Sequence, residues 1–208
     1  MVLFSQIIPM AIASNNKGTK GRLHISDNLV TPTNQNSELP SNAIAGSDIP
    51  KNLIIAPACA SNCPPVIGTN RDDVIDASNT VDTNIYGLNG NDVIKCSQGS
   101  CKAYGGDGND FITAGSVGSG SSTVSHSELY GGPGNDILVG GVGKSIMVGG
   151  PGNNQLFSGT GNDYLIGGVG HGATYFDCGP TGSGVILDFN PSIGDTKSSD
   201  CKYVFMAQ

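Results

Sequence analysis

Five carboxylates share one setting in this chain. Asp73, Asp92, Asp110, Asp136 and Asp163 each end a short turn rich in Gly and Asn, and each is followed two residues later by Ile or Leu. Carboxylate and carbonyl oxygens gathered at such a turn suit a hard divalent cation, which takes oxygen ligands. A catalytic acid pair is the competing reading, but the fixed phase of these Asp residues makes metal ligation the simpler account. The remaining reactive side chains are six cysteines, Cys59, Cys63, Cys96, Cys101, Cys178 and Cys201, and three histidines, His24, His126 and His171. No two C-x-x-C pairs occur and no His has zinc-site spacing, so an even Cys count in a polar chain points to disulfides and an oxidising compartment, with free thiols as the alternative. Signatures of catalysis are missing. There is no G-x-S-x-G and no H-E-x-x-H. Gly143-Lys144-Ser145 lacks the Gly a phosphate loop requires five residues before Gly143, where Leu138 stands. His126-Ser127-Glu128 lacks the P-C-x-x-C partner of a zinc deaminase. The expectation is a protein without enzymatic activity.

The elements that position these residues follow from composition and period. Gly accounts for 32 of 208 residues, and 28 of them lie between Gly68 and Gly184. Of 17 acidic residues 15 are Asp, and Asn occurs 19 times. Gly, Asn and Asp favour turns over helices, which excludes a helical bundle or a doubly wound α/β enzyme. A net charge of −7 argues against a nucleic-acid partner. No apolar run of about 20 residues is present, so no transmembrane segment is expected in the mature chain. Residues 131–175 divide into five nonapeptides, GGPGNDILV, GGVGKSIMV, GGPGNNQLF, SGTGNDYLI and GGVGHGATY. Their eighth positions are Leu138, Met147, Leu156, Leu165 and Thr174; the same step of nine runs upstream through Ile85, Ile94, Ala103 and Ile112, with Leu129 nine before Leu138. One buried spot per nine residues marks a repeat array, not a disordered Gly-rich linker.

The pattern resembles the haemolysin-type, or repeats-in-toxin, calcium-binding nonapeptide G-G-x-G-x-D-x-U-x. GGDGNDFIT (105–113) and GGPGNDILV (131–139) match best; GTNRDDVID (68–76), GLNGNDVIK (87–95) and SGTGNDYLI (158–166) match less completely. The resemblance implies an all-β fold, a right-handed parallel β-roll solenoid. In it the first six residues of each unit turn around Ca²⁺ and the last three form a strand. Carried over by position, the metal residues are Asp73, Gly87, Gly90, Asp92, Gly105, Gly108, Asp110, Gly131, Gly134, Asp136 and Asp163. Two nonapeptides make one coil, so turns on one edge recur every 18 residues. That step places Asp73, Asp92 and Asp110 on one edge, followed by Ser127, Ser145 and Asp163. The sixth positions of the other edge read Cys101, Asp136, Asn154 and Gly172. The Asp73–Asp92–Asp110 ladder is then the strong site, Asp136 beside Asn154 and Asp163 beside Ser145 the weaker ones, with Asp72 and Asp107 facing solvent. In CSQGSCKAY (96–104) the carboxylate gives way to Cys101. A Cys96–Cys101 disulfide is favoured there because outer turn positions face solvent; Cys178–Cys201 and Cys59–Cys63 would staple the ends, although spacing alone does not fix the pairing.

Outside the repeats, residues 1–13 (MVLFSQIIPMAIA) have the form of a signal-peptide remnant with a small-residue cleavage site at Ala11 and Ala13, lacking a basic start. Residues 14–52 read as a flexible polar linker, 53–67 as an N-terminal cap, 68–175 as the β-roll and 176–208 as a C-terminal cap with a strand at Val185–Phe189. The expected protein is secreted, extracellular or at the cell surface, and binds calcium as a structural ion. Its use is read as adhesion or surface and matrix association through a partner the sequence does not name. The alternative is a stability or secretion module of a larger secreted enzyme.

Overall fold

A three-residue apolar segment between Gly turns is too short to fold on itself, so it must pair with its equivalent one coil away. The computed structural model shows that arrangement; it describes residues 52–96, 99–115 and 126–208. The leader expected over 1–13 and the linker expected over 14–52 lie outside the described residues, apart from Asn52, which opens the first strand instead. The described strands, β1 to β16 in chain order, alternate between two sheets. The odd sheet holds β1 (Asn52–Ile55), β3 (Asp73–Asp76), β5 (Val93–Lys95), β7 (Phe111–Thr113), β9 (Ile137–Val139), β11 (Gln155–Phe157), β13 (Tyr175–Asp177) and β15 (Thr196–Lys197). The even sheet holds β2 (Val66–Ile67), β4 (Thr83–Asn89), β6 (Cys101–Asp107), β8 (His126–Tyr130), β10 (Lys144–Val148), β12 (Tyr164–Ile166), β14 (Val185–Phe189) and β16 (Tyr203–Met206). Each sheet has eight strands, every pairing is parallel, and each odd–even pair is one coil. The chain is an all-β parallel β-roll.

Side chains alternate across a strand, and the centre of each short strand points between the sheets. Ile75, Ile94, Ile112, Leu138, Leu156 and Phe176 from the odd sheet meet Ile85, Ala103, Leu129, Met147, Leu165 and Ile186 from the even one, all with no exposed surface. Burying one such Ile or Leu contributes about 1.5–3 kcal/mol. The core is therefore a single file on each side, and the turns must supply the rest of the cohesion. The step of nine identifies this file in two runs, Ile85 to Ile112 and Leu129 to Leu165. It fails at Thr174, because Gln155 pairs with Tyr175 and Leu156 with Phe176. Two extra residues in the preceding turn push Thr174 back into the turn and bring Phe176 to the core.

The segments flanking the repeats extend the same two sheets. β1 and β2 make the first coil, with Leu53 and Ile55 exposed. At the other end β14 occupies the expected strand. A 3-10 turn, Pro191–Ile193, follows it, opened by the Asn190 side chain accepting from Ser192 N and closed by Gly194 at φ +99°.

Candidate metal centre

Turns that lead from an even strand to the next odd strand lie on one edge of the roll; turns from odd to even lie on the other. The register assigns the carboxylates differently from a uniform 18-residue step. Asp110 N–H donates to Asp136 Oδ1 at 2.8 Å across 26 residues, and β7 pairs with β9. The additional residues fall between β7 and β8 in sequence. Asp136 and Asn154 therefore continue the Asp73–Asp92–Asp110 file, while Ser127, Ser145 and Asp163 stand on the other edge, in file with Thr83 and Cys101. Gly172 is displaced from the sixth position by Thr174, whose N–H donates to Asp195 Oδ1 at 2.9 Å.

The first edge is thus a ladder of buried carboxylates. Asp73 N–H donates to Asp92 Oδ1, Asp92 N–H to Asp110 Oδ1 and Asp110 N–H to Asp136 Oδ1, each at 2.8 Å, and Asp136 N–H to Asn154 Oδ1 at 2.9 Å. One oxygen of each side chain thereby ties its coil to the preceding one. The second oxygen does different work. Asp110 Oδ2 and Asp136 Oδ2 are buried with no hydrogen-bond partner. They lie over Gly105 and Gly131, where an added Cβ would meet the carboxylate and also the carbonyl of Gly131 or Gly149 from the next coil. Asp92 Oδ2 and the Gly105 carbonyl take the equivalent place over Gly87. Gly90, Gly108 and Gly134 complete the turns at φ +124°, +135° and +150°, conformations that side-chain-bearing residues rarely adopt.

Such a cradle is electrostatically unfavourable without positive charge. Burial pushes Asp110 up to about 7, with the Asp136 and Asp92 charges adding to the shift and the Asp92 N–H opposing it. Burial likewise pushes Asp136 up to about 6 against the Asp110 N–H. Two carboxylates one strand spacing apart, about 4.8 Å, repel by roughly 3 kcal/mol at an effective dielectric of 20. Buried acceptor oxygens with no donor, facing carbonyls, are the donor set of a calcium ion. The residues present fit the ion: Asp92, Asp110 and Asp136 with carbonyls of loops 87–92, 105–110 and 131–136 would hold it.

The other sequence-identified carboxylates are closed by the protein. Asp73 Oδ2 accepts from Thr69 N at 2.5 Å and from the Thr69 hydroxyl, Thr69 standing where the following turns have Leu88, Gly106 and Gly132. Asp163, on the opposite edge, accepts from Ser145 N, Ser158 Oγ and Gly159 N, so both of its oxygens are used. Asp72 and Asp107 are exposed, as their odd positions imply.

That opposite edge carries all the disulfides. Cys59–Cys63, Cys96–Cys101 and Cys178–Cys201 are bonded with Cα separations of 5.6, 5.9 and 5.0 Å, and no described cysteine is free. The pairing matches the expectation, but the reason given for Cys96–Cys101 does not. Both side chains point inward and are buried, because Cys101 sits two residues before core Ala103 and Cys96 two after core Ile94.

Two further files escaped sequence reasoning. At the fifth turn position Asn109 N donates to Asn91 Oδ1, Asn135 N to Asn109 Oδ1 and Asn153 N to Asn135 Oδ1, at 2.8–2.9 Å on the exposed rim. On the outer face of the even sheet Tyr86, Tyr104 and Tyr130 stack with centroids 5.1 and 4.9 Å apart. The recurring Asn before each sixth position was the available signal for the first. The second needed the 26-residue coil.

Residues 102–116, 127–147 and 146–172 match the RTX calcium-binding nonapeptide repeat, in four copies. The fold is thus a parallel β-solenoid, and the matched residues are similar to RTX calcium-binding repeats. No curated protein and no solved structure matches the chain. Among the described residues no helix is long and apolar enough to cross a membrane.

Proposed function

We propose that this chain is a secreted, non-enzymatic calcium-binding β-roll whose folding is driven by Ca²⁺ held between the turns of one edge. The observation that carries the reading is the pair of buried, donorless oxygens, Asp110 Oδ2 and Asp136 Oδ2, facing carbonyls of the neighbouring coil. A site absent from the unfolded chain makes binding energy into folding energy. One site at 100 times its Kd adds about 2.7 kcal/mol, so three such sites add about 8 kcal/mol, comparable to the whole stability of an ordinary domain. The β-roll so formed suits adhesion or surface and matrix association outside the cell, where calcium is plentiful and disulfides persist. A non-catalytic stability module of a larger secreted enzyme is the second use the same chemistry would serve.

The test is calcium titration of the chelated protein by circular dichroism, with ion stoichiometry by calorimetry. The expected result is a gain of β signal and a rise in Tm that saturate together. An unchanged spectrum and Tm in excess EGTA would refute the reading.

A further inference from the structure

The carboxylate edge changes character in its last two full turns. Over Gly87, Gly105 and Gly131 the space is filled by a carboxylate oxygen; over Gly149 it is filled by the Asn154 amide nitrogen, and over Gly167 by the His171 ring. Asn154 Nδ2 donates to Gly150 O at 2.8 Å. His171 Nδ1 lies 2.5 Å from Gly168 O, and its Nε2 3.3 Å from Asp195 Oδ2. In both turns a nitrogen of the chain points at loop carbonyls that in the upstream turns are left to a cation.

His171 is the more consequential of the two. Both of its ring nitrogens face groups that only accept, a carbonyl and a carboxylate, and a neutral imidazole has one N–H only. The arrangement is satisfied by the imidazolium alone. Its charged surroundings are two carboxylates from the last coil, Asp195, whose side chain is fully buried, and Asp188, 3.9 Å from Nδ1. The turn packed on its other side, residues 149–154, contains no titratable side chain. The two carboxylates in turn organise the end of the roll. Asp188 accepts from Gly167 N and Gly168 N, and Asp195 accepts from Thr174 N and Asn190 N.

We propose that the chain closes these two turns itself in place of calcium, and that the His171 imidazolium is the resident cation of the last one, a proton-operated latch joining loop 167–174 to Asp188 and Asp195. This deepens the calcium reading and rests on it only for the ions upstream. The repeat match extends through residue 172, yet calcium is confined to the turns of Asp92, Asp110 and Asp136.

Burial opposes the charge on His171, but its hydrogen bonds to Gly168 and Asp195 and the nearby carboxylates outweigh that and raise its value above the ordinary imidazole one. A raised value means the latch is fully present below the ordinary value and is lost as pH rises through the folded-state value.

The experiment uses the full chain with saturating calcium. Ring resonances of the histidines are titrated by NMR and assigned with His171→Gln, while hydrogen exchange follows the amides of Gly167, Gly168, Thr174 and Asn190 against Ile94 in the middle of the roll. The expected result is a His171 midpoint above the ordinary imidazole value. Protection of the four amides should fall relative to Ile94 as pH passes that midpoint, because a proton bound more tightly in the closed loop than in the open one holds it closed. In His171→Gln the protection should stay at the wild-type high-pH level throughout, with the calcium stoichiometry unchanged. A His171 midpoint at or below the ordinary value, protection that follows Ile94 at every pH, or fewer bound ions in His171→Gln would each overturn the latch. The calcium reading fails separately, by indifference of the whole roll to EGTA.

Discussion

The two edges of the roll solve one problem in opposite ways. A single-file core leaves the turns to hold coil to coil. On the carboxylate edge the inward sixth positions are Asp73, Asp92, Asp110 and Asp136 in succession, a stack of like charge that folds only with compensation. On the cysteine edge the matching positions are Thr83, Cys101, Ser127, Ser145 and Asp163, neutral but for one carboxylate whose oxygens all have donors. Three disulfides lie along it. One edge is conditional on a dissolved ion; the other is fixed covalently or by hydrogen bonds. The difference lies in the sixth residue of each turn and in the turn backbone, since the carboxylate edge turns on positive-φ glycines such as Gly90, Gly108 and Gly134, whereas turn 77–82 on the cysteine edge contains no glycine.

The sharpest way to break this comparison is to change the same residue type on each edge. Asp110→Asn should lose bound calcium, because the amide nitrogen would turn toward its own loop as Asn154 Nδ2 does. Asp163→Asn should keep the ion count and lose stability only. It replaces an acceptor of Ser158 Oγ and Gly159 N, at about 1–3 kcal/mol for each buried donor left unmet. Calorimetric stoichiometry and Tm with and without EGTA decide it. Equal ion loss in both variants would mean the edges are not distinct.

Acidity separates the edges next. Asp110 and Asp136 have folded values of about 7 and about 6 against an ordinary 3.8, so without calcium the folded state binds more protons than the unfolded. In EGTA, stability should therefore be greatest near pH 4 and fall as pH rises toward 7. With calcium bound, protons compete for the same oxygens and the slope should reverse, stability falling as the solution is acidified. Melting curves from pH 4 to 8 in each condition test the sign. A slope of the same sign in both would remove the carboxylate file from the account.

Much of this was legible in the sequence. The step of nine found the core file because β-roll coils repeat one local pattern, and the Gly-Asn-Asp turns named Asp92, Asp110 and Asp136. Allocation of turns to edges was not legible past Asp110. A fixed 18-residue step assumes every coil has equal length, whereas the coil from Asp110 to Asp136 takes 26 residues. Periodicity counts residues; the sheet counts hydrogen-bonded strands, whatever the number of residues between them. Thr174 was misplaced for the same reason. Asp163 and Asp110 carry the same Gly-Asn-Asp signature, and only the donors around each distinguish a closed carboxylate from one awaiting an ion. His171 gave no signal, since its partners Asp188 and Asp195 lie a full coil ahead.

Covalent closure ranks below these effects. A double Cys178→Ala, Cys201→Ala variant opens a loop with a sequence separation of 23, which chain entropy values at about 3 kcal/mol; Cys96→Ala with Cys101→Ala opens one of 5, at about 2 kcal/mol. Both should lower Tm in that order and leave the calcium stoichiometry intact, as checked by melting and calorimetry. Loss of ions from either variant would show that the cysteine edge also shapes the metal turns.

The smallest expected effect comes from the carboxylate edge itself, one residue from its centre. Asn109 and Asp110 are adjacent in one turn, and each accepts a hydrogen bond from the neighbouring coil: Asn109 Oδ1 from Asn135 N at 2.8 Å, Asp110 Oδ1 from Asp92 N at 2.8 Å. The bonds have the same length but different surroundings. Asn109 is exposed, so water can replace its carbonyl on the Asn135 N–H, and the loss in Asn109→Ala should be about 0.5–1.5 kcal/mol, the net value of one ordinary hydrogen bond. Asp110 is buried, and the same truncation removes both the coil-to-coil bond and a metal ligand. Asn109→Ala should thus shift Tm slightly and leave calcium affinity and ion count at their wild-type values. A large loss of affinity would show that the exposed Asn file sets the geometry of the turn carbonyls, and the functional part of this edge would then extend outward from the buried carboxylates to its rim.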